Sequence, residues 1–160
     1  MSVTAAPGWG SAHLAAIVPG AVALAPAEQF AVHQVLVRYA FALDQRDLTA
    51  LGSVLTEDAT WAFTIAGRND LGPVAGRAAI LEFVREAIDA ETDQRRHNLV
   101  NVVIRSADAT TALAQAYLLL TSNAGGRANV IATGFYTFRL ERSEGEWRIA
   151  DLFLGTDNAW

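Results

Sequence analysis

The chain has 160 residues, 52% hydrophobic and 18% charged, which is enough for one buried core and short for two domains. The absence of cysteine excludes disulfide frameworks, thiolate zinc sites and cysteine nucleophiles. A net charge of −5, with every basic residue an arginine and no basic cluster beyond Arg95-Arg96, argues against nucleic-acid and membrane partners and removes lysine Schiff-base chemistry.

Residues 1–25 are rich in Ala, Gly, Val and Pro without a steady period and read as an N-terminal extension, leaving 26–160 as the domain. The apolar stretch 12–25 is cut by Pro19-Gly20 and has no Lys or Arg before it, so it reads neither as a signal peptide nor as a membrane span. A soluble, cytoplasmic protein is expected. Pro26 suits a first helical turn, and Phe30, Val37, Tyr39-Ala40 and Leu43 recur near helical spacing, which predicts a helix to about Gln45. Asp47 is placed to cap a second helix, Leu48 to about Leu55. The stretch Ala59 to Ile65 reads as a strand with Trp61, Phe63 and Ile65 on one face. Residues 67–76, with Gly67, Asn69-Asp70, Gly72-Pro73 and Gly76, read as a loop. A third helix is expected from Arg77 to about Ala90, its apolar stripe made by Ile80-Leu81, Phe83-Val84 and Ile88.

The second half switches to period two. Strands are expected near 96–106, 109–122, 129–143 and 147–156, joined by hairpin-like connections. Helices first and a long antiparallel meander after them make an α+β domain. If Ala112, Ala114, Ala116 and Leu118 point outward with Ile131, Thr133 and Thr137, an apolar outer sheet face is left for a homodimer to cover.

Acid–base chemistry without a metal needs a base near neutral pKa and a group that orients it, which a histidine and a carboxylate supply. His97 opens a strand on which Leu99, Asn101 and Val103 would share its face. Asp44 closes the first helix, about 140° around the axis from Tyr39. Trp61, Phe63, Tyr117 and Phe135 offer aromatic walls for a flat, apolar ligand. No phosphate-binding glycine loop, dinucleotide fingerprint, zinc-type His-Glu-x-x-His or nucleophile elbow is present, and neither a metal nor another cofactor is expected.

The segments Leu36 to Asp44 with Asp47 after it, Leu55-Thr56-Glu57-Asp58-Ala59-Thr60-Trp61, Gly76-Arg77-Ala78-Ala79-Ile80, Arg96-His97-Asn98-Leu99-Val100-Asn101, Ala112 to Tyr117, Gly134-Phe135-Tyr136 and Gly145 to Ala150 come in an order and spacing that matter together. Over about residues 28 to 155 the chain resembles the SnoaL-like branch of the nuclear-transport-factor-2-like superfamily. The resemblance implies three N-terminal helices packed in a strongly curved, mostly antiparallel sheet, a cone with a deep apolar pocket. It also implies, by similarity to bile-acid and scytalone-type dehydratases, that His97 acts as general base or acid, Asp44 holds its tautomer and Tyr39 contacts a substrate oxygen. Trp61, Phe63, Asn101, Tyr117 and Phe135 would bind substrate. The chain has Gln115 and Tyr117 where scytalone-type dehydratases place a second histidine. It also has Gly134-Phe135-Tyr136-Thr137-Phe138 where many relatives carry Gly-x-Tyr-x-Asp. Dehydration, cyclisation and isomerisation of a hydrophobic polyketide-like or steroid-like molecule therefore all stay open. The rival readings are a ligand-binding or assembly module without turnover, marked by a solvent-facing Asp44 and a pocket plugged by side chains such as Phe138, and an interaction subunit like the dioxygenase small subunits of this fold.

Overall fold

The computed structural model describes residues 24–67, 69–106 and 108–159. Of the expected extension only its last residues fall within this range; the rest, with His13 and Trp9, lies outside the described residues. Three helices, α1 (Pro26–Asp44), α2 (Leu48–Ser53) and α3 (Arg77–Asp89), accompany six strands, β1 (Leu55–Ile65), β2 (Asn69–Ala75), β3 (Gln94–Ser106), β4 (Thr111–Ala124), β5 (Arg127–Ser143) and β6 (Glu146–Thr156). The strands form one sheet in the order β2-β1-β6-β5-β4-β3. All neighbours are antiparallel except β1 and β6, which run parallel. This is the α+β architecture with helices packed in a mostly antiparallel sheet.

The helix boundaries have local causes. Pro26 starts α1, and Glu28 in its first turn accepts a hydrogen bond from Trp147 Nε1 at 2.6 Å and an ion pair from Arg142, tying the helix to the β6 hairpin. Asp47 caps α2 by accepting from the Ala50 amide at 2.8 Å. Between them Arg46 takes a left-handed φ of 58° and donates to the carbonyls of Glu91 and Asp93, while the Gln94 amide donates to the Asp44 carbonyl at 2.8 Å. The end of α1 is thereby pinned to the start of β3.

The core lies between the helices and one face of the sheet. Val32, Val35, Leu36 and Tyr39 of α1 pack with Ala112, Ala114, Leu118 and Leu120 of β4, Tyr136, Phe138 and Leu140 of β5 and Leu152 and Leu154 of β6. Ala112, Ala114, Ala116 and Leu118 therefore point inward, opposite to the expectation. The reason is volume: Ala114 pairs with Phe138 and Ala116 with Tyr136, so small residues on one strand leave room for the rings on the next. The outer face carries Val100, Val103, Leu113, Tyr117, Leu119 and Phe135 instead.

Two further expectations change. Residues 69–75 form an edge strand on β1, not a loop; an edge position tolerates Pro73, which has no N–H to donate. Gly72, at φ +88°, lies so close to the Trp61 carbonyl that a Cβ would sit 2.8 Å away. Strand β3 is interrupted by a bulge between Val100 and Val103, with Asn101 at φ 53°. The bulge flips the alternation, so Val102 and Ile104 face in, while Asn101 and Val103 are exposed.

Candidate functional site

A cavity of about 190 Å³ opens between the end of α1, α3, β1, β2, β3, the middle of β5 and the end of β6. Its apolar wall comes from Leu43, Trp61, Phe63, Ile65, Phe83 and Leu154. The ring centroids of Trp61, Phe63 and Phe83 lie 4.8 to 5.9 Å apart, a continuous aromatic cluster. The polar lining is Glu91, Arg95, His97, Tyr136 and Thr156.

His97 sits at the junction made by the pinned end of α1. Its Nδ1 lies 2.8 Å from Asp44 Oδ1, and its backbone amide donates to both carboxylate oxygens at 3.0 and 3.2 Å. Asp44 thus fixes both the strand and the ring of His97. The side chains are 15% and 10% exposed, shielded enough that bulk water weakens the pairing little. Asp44 faces His97 and not solvent, and Phe138 lies behind Tyr136, stacked at 5.3 Å, without entering the cavity lining.

The remaining candidates separate. Trp61 and Phe63 line the cavity with His97. Tyr39, 1% exposed, stands one layer behind, with ring edges against Trp61, Tyr136 and Phe138 at 5.8 to 6.2 Å, and is not among the lining residues. Asn101, Tyr117 and Phe135 lie away from the cavity. Asn101 is exposed because the β3 bulge reverses its side. Tyr117, 57% exposed, and Phe135, packed on Phe153 at 5.6 Å, stand on the outer face because their neighbours Ala116 and Tyr136 face in.

Several lining residues were not singled out in the sequence. Burial pushes the Glu91 carboxyl above its usual value, and the charges of Arg95 and Arg46 offset only part of this. Arg95 is held by Glu91 at 2.8 Å and Asp93 at 3.3 Å. The signal was available, because Arg95 shares the parity of His97 on the same strand. Burial pushes the Tyr39 phenol well above its usual value, and the Tyr136 phenol beside it adds to the shift. The Tyr136 phenol is also pushed up, by burial first, with the Tyr39 hydroxyl acting against the shift and the Asp44 charge adding to it. The two hydroxyls influence each other, yet neither makes a hydrogen bond of full geometry. Among the described residues no cluster of three or more His, Asp or Glu is arranged to hold a metal ion, and no helix is long and apolar enough to cross a membrane.

Fold and site together define a curved-sheet α+β cone that covers a small apolar cavity edged by a carboxylate–imidazole pair. The family model of the SnoaL-like domain matches residues 27–152, and the chain belongs to that family. Among solved structures it is similar to Aln2 from a Streptomyces species, with 23% identity and a TM-score of 0.73 over 85% of this chain and 95% of that one. A Catenulispora acidiphila protein in complex with S-DNPA shares 22% identity, with a TM-score of 0.71 over 83% and 96% of the two chains. A protein of Novosphingobium aromaticivorans proposed to be an aromatic ring hydroxylase shares 29% identity, with a TM-score of 0.66 over 82% and 91%. No curated protein matches the chain.

Proposed function

We propose that the protein is a cofactor-independent acid–base enzyme that eliminates water, closes a ring or shifts a double bond in a hydrophobic small molecule. The observation that carries this reading is the Asp44–His97 pair at the edge of an otherwise apolar cavity. With Nδ1–H donated to Asp44, a neutral imidazole keeps its lone pair on Nε2, the form a general base requires. Nε2 would take a proton from carbon next to a carbonyl, Asp44 would stabilise the imidazolium, and the same proton would be returned to a leaving hydroxyl as water departs or to a different carbon. Trp61 and Phe63 would hold the ring system, and Tyr39 would support them from behind. At the packing density of protein interiors the cavity holds on the order of ten non-hydrogen atoms, a one- or two-ring body. A larger polyketide-like substrate would extend past Glu91 and Arg95.

The test is turnover of a panel of small cyclic β-hydroxy ketones, followed by the absorbance of the conjugated product. His97→Gln is expected to lower kcat by about 10²- to 10⁴-fold, the usual worth of a positioned acid–base group. Full activity in His97→Gln, or tight binding of panel members with no conversion by the wild type, would replace this reading with that of a binding module.

A second observation supports a homodimer. Val100, Tyr117 and Phe135 lie side by side on neighbouring strands of the outer face, with Val103 and Leu119 around them. Val100, Val103 and Tyr117 are 41 to 57% exposed. Polar groups border the patch, among them Asn98 and the Arg139–Asp151 ion pair. An apolar patch with a polar rim is the usual form of a protein contact surface.

A further inference from the structure

Helix α1 is apolar on both of its sides. Tyr39 belongs to the side packed against the sheet. Phe30 and Phe41, eleven residues apart, lie about 20° from each other around the axis and about 160–180° from Tyr39. They are 65% and 62% exposed, with Gln34 and Val37 between them on the same face. The helix has little charge to set against these rings. Glu28 is taken by Trp147 and Arg142, and Asp44 by His97, which leaves Arg38 as the charged group of the outward side. A surface helix ordinarily turns its charged residues away from the core, so two phenylalanines in that position mark a face that gains by being covered. A groove of about 220 Å³ beside Phe41, edged by Arg38, Ala42, Gln45 and Ala50, offers a seat for a further side chain.

The chain that precedes the helix has the composition to cover it. Residues 1–23 contain no Asp, Glu, Lys or Arg and include Trp9, Leu14, Ile17 and Val18. They join the domain at Leu24, which packs against the core and whose carbonyl accepts a hydrogen bond from the Gln29 side chain at 2.9 Å. The distance is within reach: Leu14, ten residues before Leu24, extends up to about 33 Å from it, whereas Phe41 lies about 26 Å along the helix. Pro19-Gly20 supplies the turn chemistry that a reversal needs. A segment tethered this closely acts at an effective concentration on the order of millimolar, above that of a second copy in micromolar solution.

We propose that the outward face of α1 is the docking surface of this chain's own residues 9–23, with Leu14, Ile17 and Val18 set against Phe30 and Phe41. An uncharged segment thereby meets a nearly uncharged face. The contact lies on the side of α1 away from the cavity and stands apart from the acid–base reading.

Hydrogen exchange of the full chain, read by mass spectrometry, tests this. Peptides over residues 9–18 are expected to exchange about tenfold or more slowly than a free synthetic peptide of the same sequence, and to lose that protection in the double variant Phe30→Ser with Phe41→Ser. Because the chain has no cysteine, Ser11→Cys takes a single nitroxide label. The label is expected to broaden the NMR signals of Gln34 and Arg38 in its own chain, and not those of unmodified, isotope-labelled chains mixed with it. Peptide-like exchange in the wild type, protection that survives both substitutions, or broadening confined to the unmodified chains overturns the proposal. The last result would assign the face to the segment of a neighbouring copy. Both phenylalanines are exposed, so their loss spares the core, and the wild-type exchange rate decides even where the variant does not fold.

Discussion

Asp44 works through two different groups of one residue. Its carboxylate receives both the backbone amide and the ring of His97, so the helix end, the strand and the imidazole orientation are set by one side chain. In Asp44→Asn one carbonyl oxygen remains to take the backbone amide, while the new amide hydrogens compete for Nδ1. Nitrogen NMR of the histidine ring is expected to show the Nδ1–H tautomer in the wild type and a shift toward Nε2–H in the variant; an unchanged tautomer would detach Asp44 from the ring. The buried phenols give a second expectation. Tyr39 and Tyr136 titrate above their usual value in the folded state, so above pH ~10 the unfolded chain releases protons that the folded chain retains, and stability falls as pH rises. Ultraviolet titration should show two phenols that ionise only as the protein unfolds. The contact between Asp44 and His97 was legible because the resemblance sets an aspartate at the end of this helix opposite a histidine that opens a strand of the sheet. Tyr136 was not, since an aromatic residue inside a strand looks like core until a cavity is found beside it.

At the scale of elements, one residue of β3 decides what the sheet presents. Asn101, the bulge residue, carries a left-handed φ that asparagine tolerates and β-branched residues resist. Asn101→Val is expected to cost about 1–2 kcal/mol or more, and Asn101→Gly to be near neutral, both read from urea unfolding. If valine were tolerated there, the bulge would not be holding the register. Strict period-two reading carried Asn101 and Val103 to the wrong side because a bulge leaves no local composition signal. The edge strand β2 was missed for the opposite reason: Gly72-Pro73 is strong loop chemistry, and only the pairing of residues 69–75 with β1 overrides it. The three helices and the four long strands were legible because their periods are long and their caps and turns are explicit.

At the scale of the whole molecule, the face that looks inward was the hardest feature to read. Both faces of β4 are apolar, one with Ala and Leu and the other with Leu113, Tyr117 and Leu119, so alternation gives the period and not the side. Packing volume decides it, and that depends on Tyr136 and Phe138 across the strand boundary. Consequently the outer patch differs from the one foreseen, and the homodimer expectation rests on Tyr117 and not on the alanines. Light scattering should give twice 17.1 kDa for the wild type at micromolar concentration, and Tyr117→Glu should return the mass to that of one chain. A wild-type mass of one chain would leave the patch without a second copy.

Strand β6 is the last of the six in sequence, yet it lies in the middle of the sheet, parallel to β1 and antiparallel to β5. Before it is placed, the β2-β1 hairpin and the β3-β4-β5 meander share no strand–strand hydrogen bond. The cavity, walled by Phe63 on one side of this seam and Tyr136 on the other, with Leu154 between, thus has no existence in a half-folded chain. Joining the two halves requires pairing Leu55 with Ile149 and Phe63 with Leu154, far apart along the chain, the kind of closure that slows folding. A ligand can therefore find its place only in a molecule whose last strand is already home, and by occupying that place it holds the seam shut.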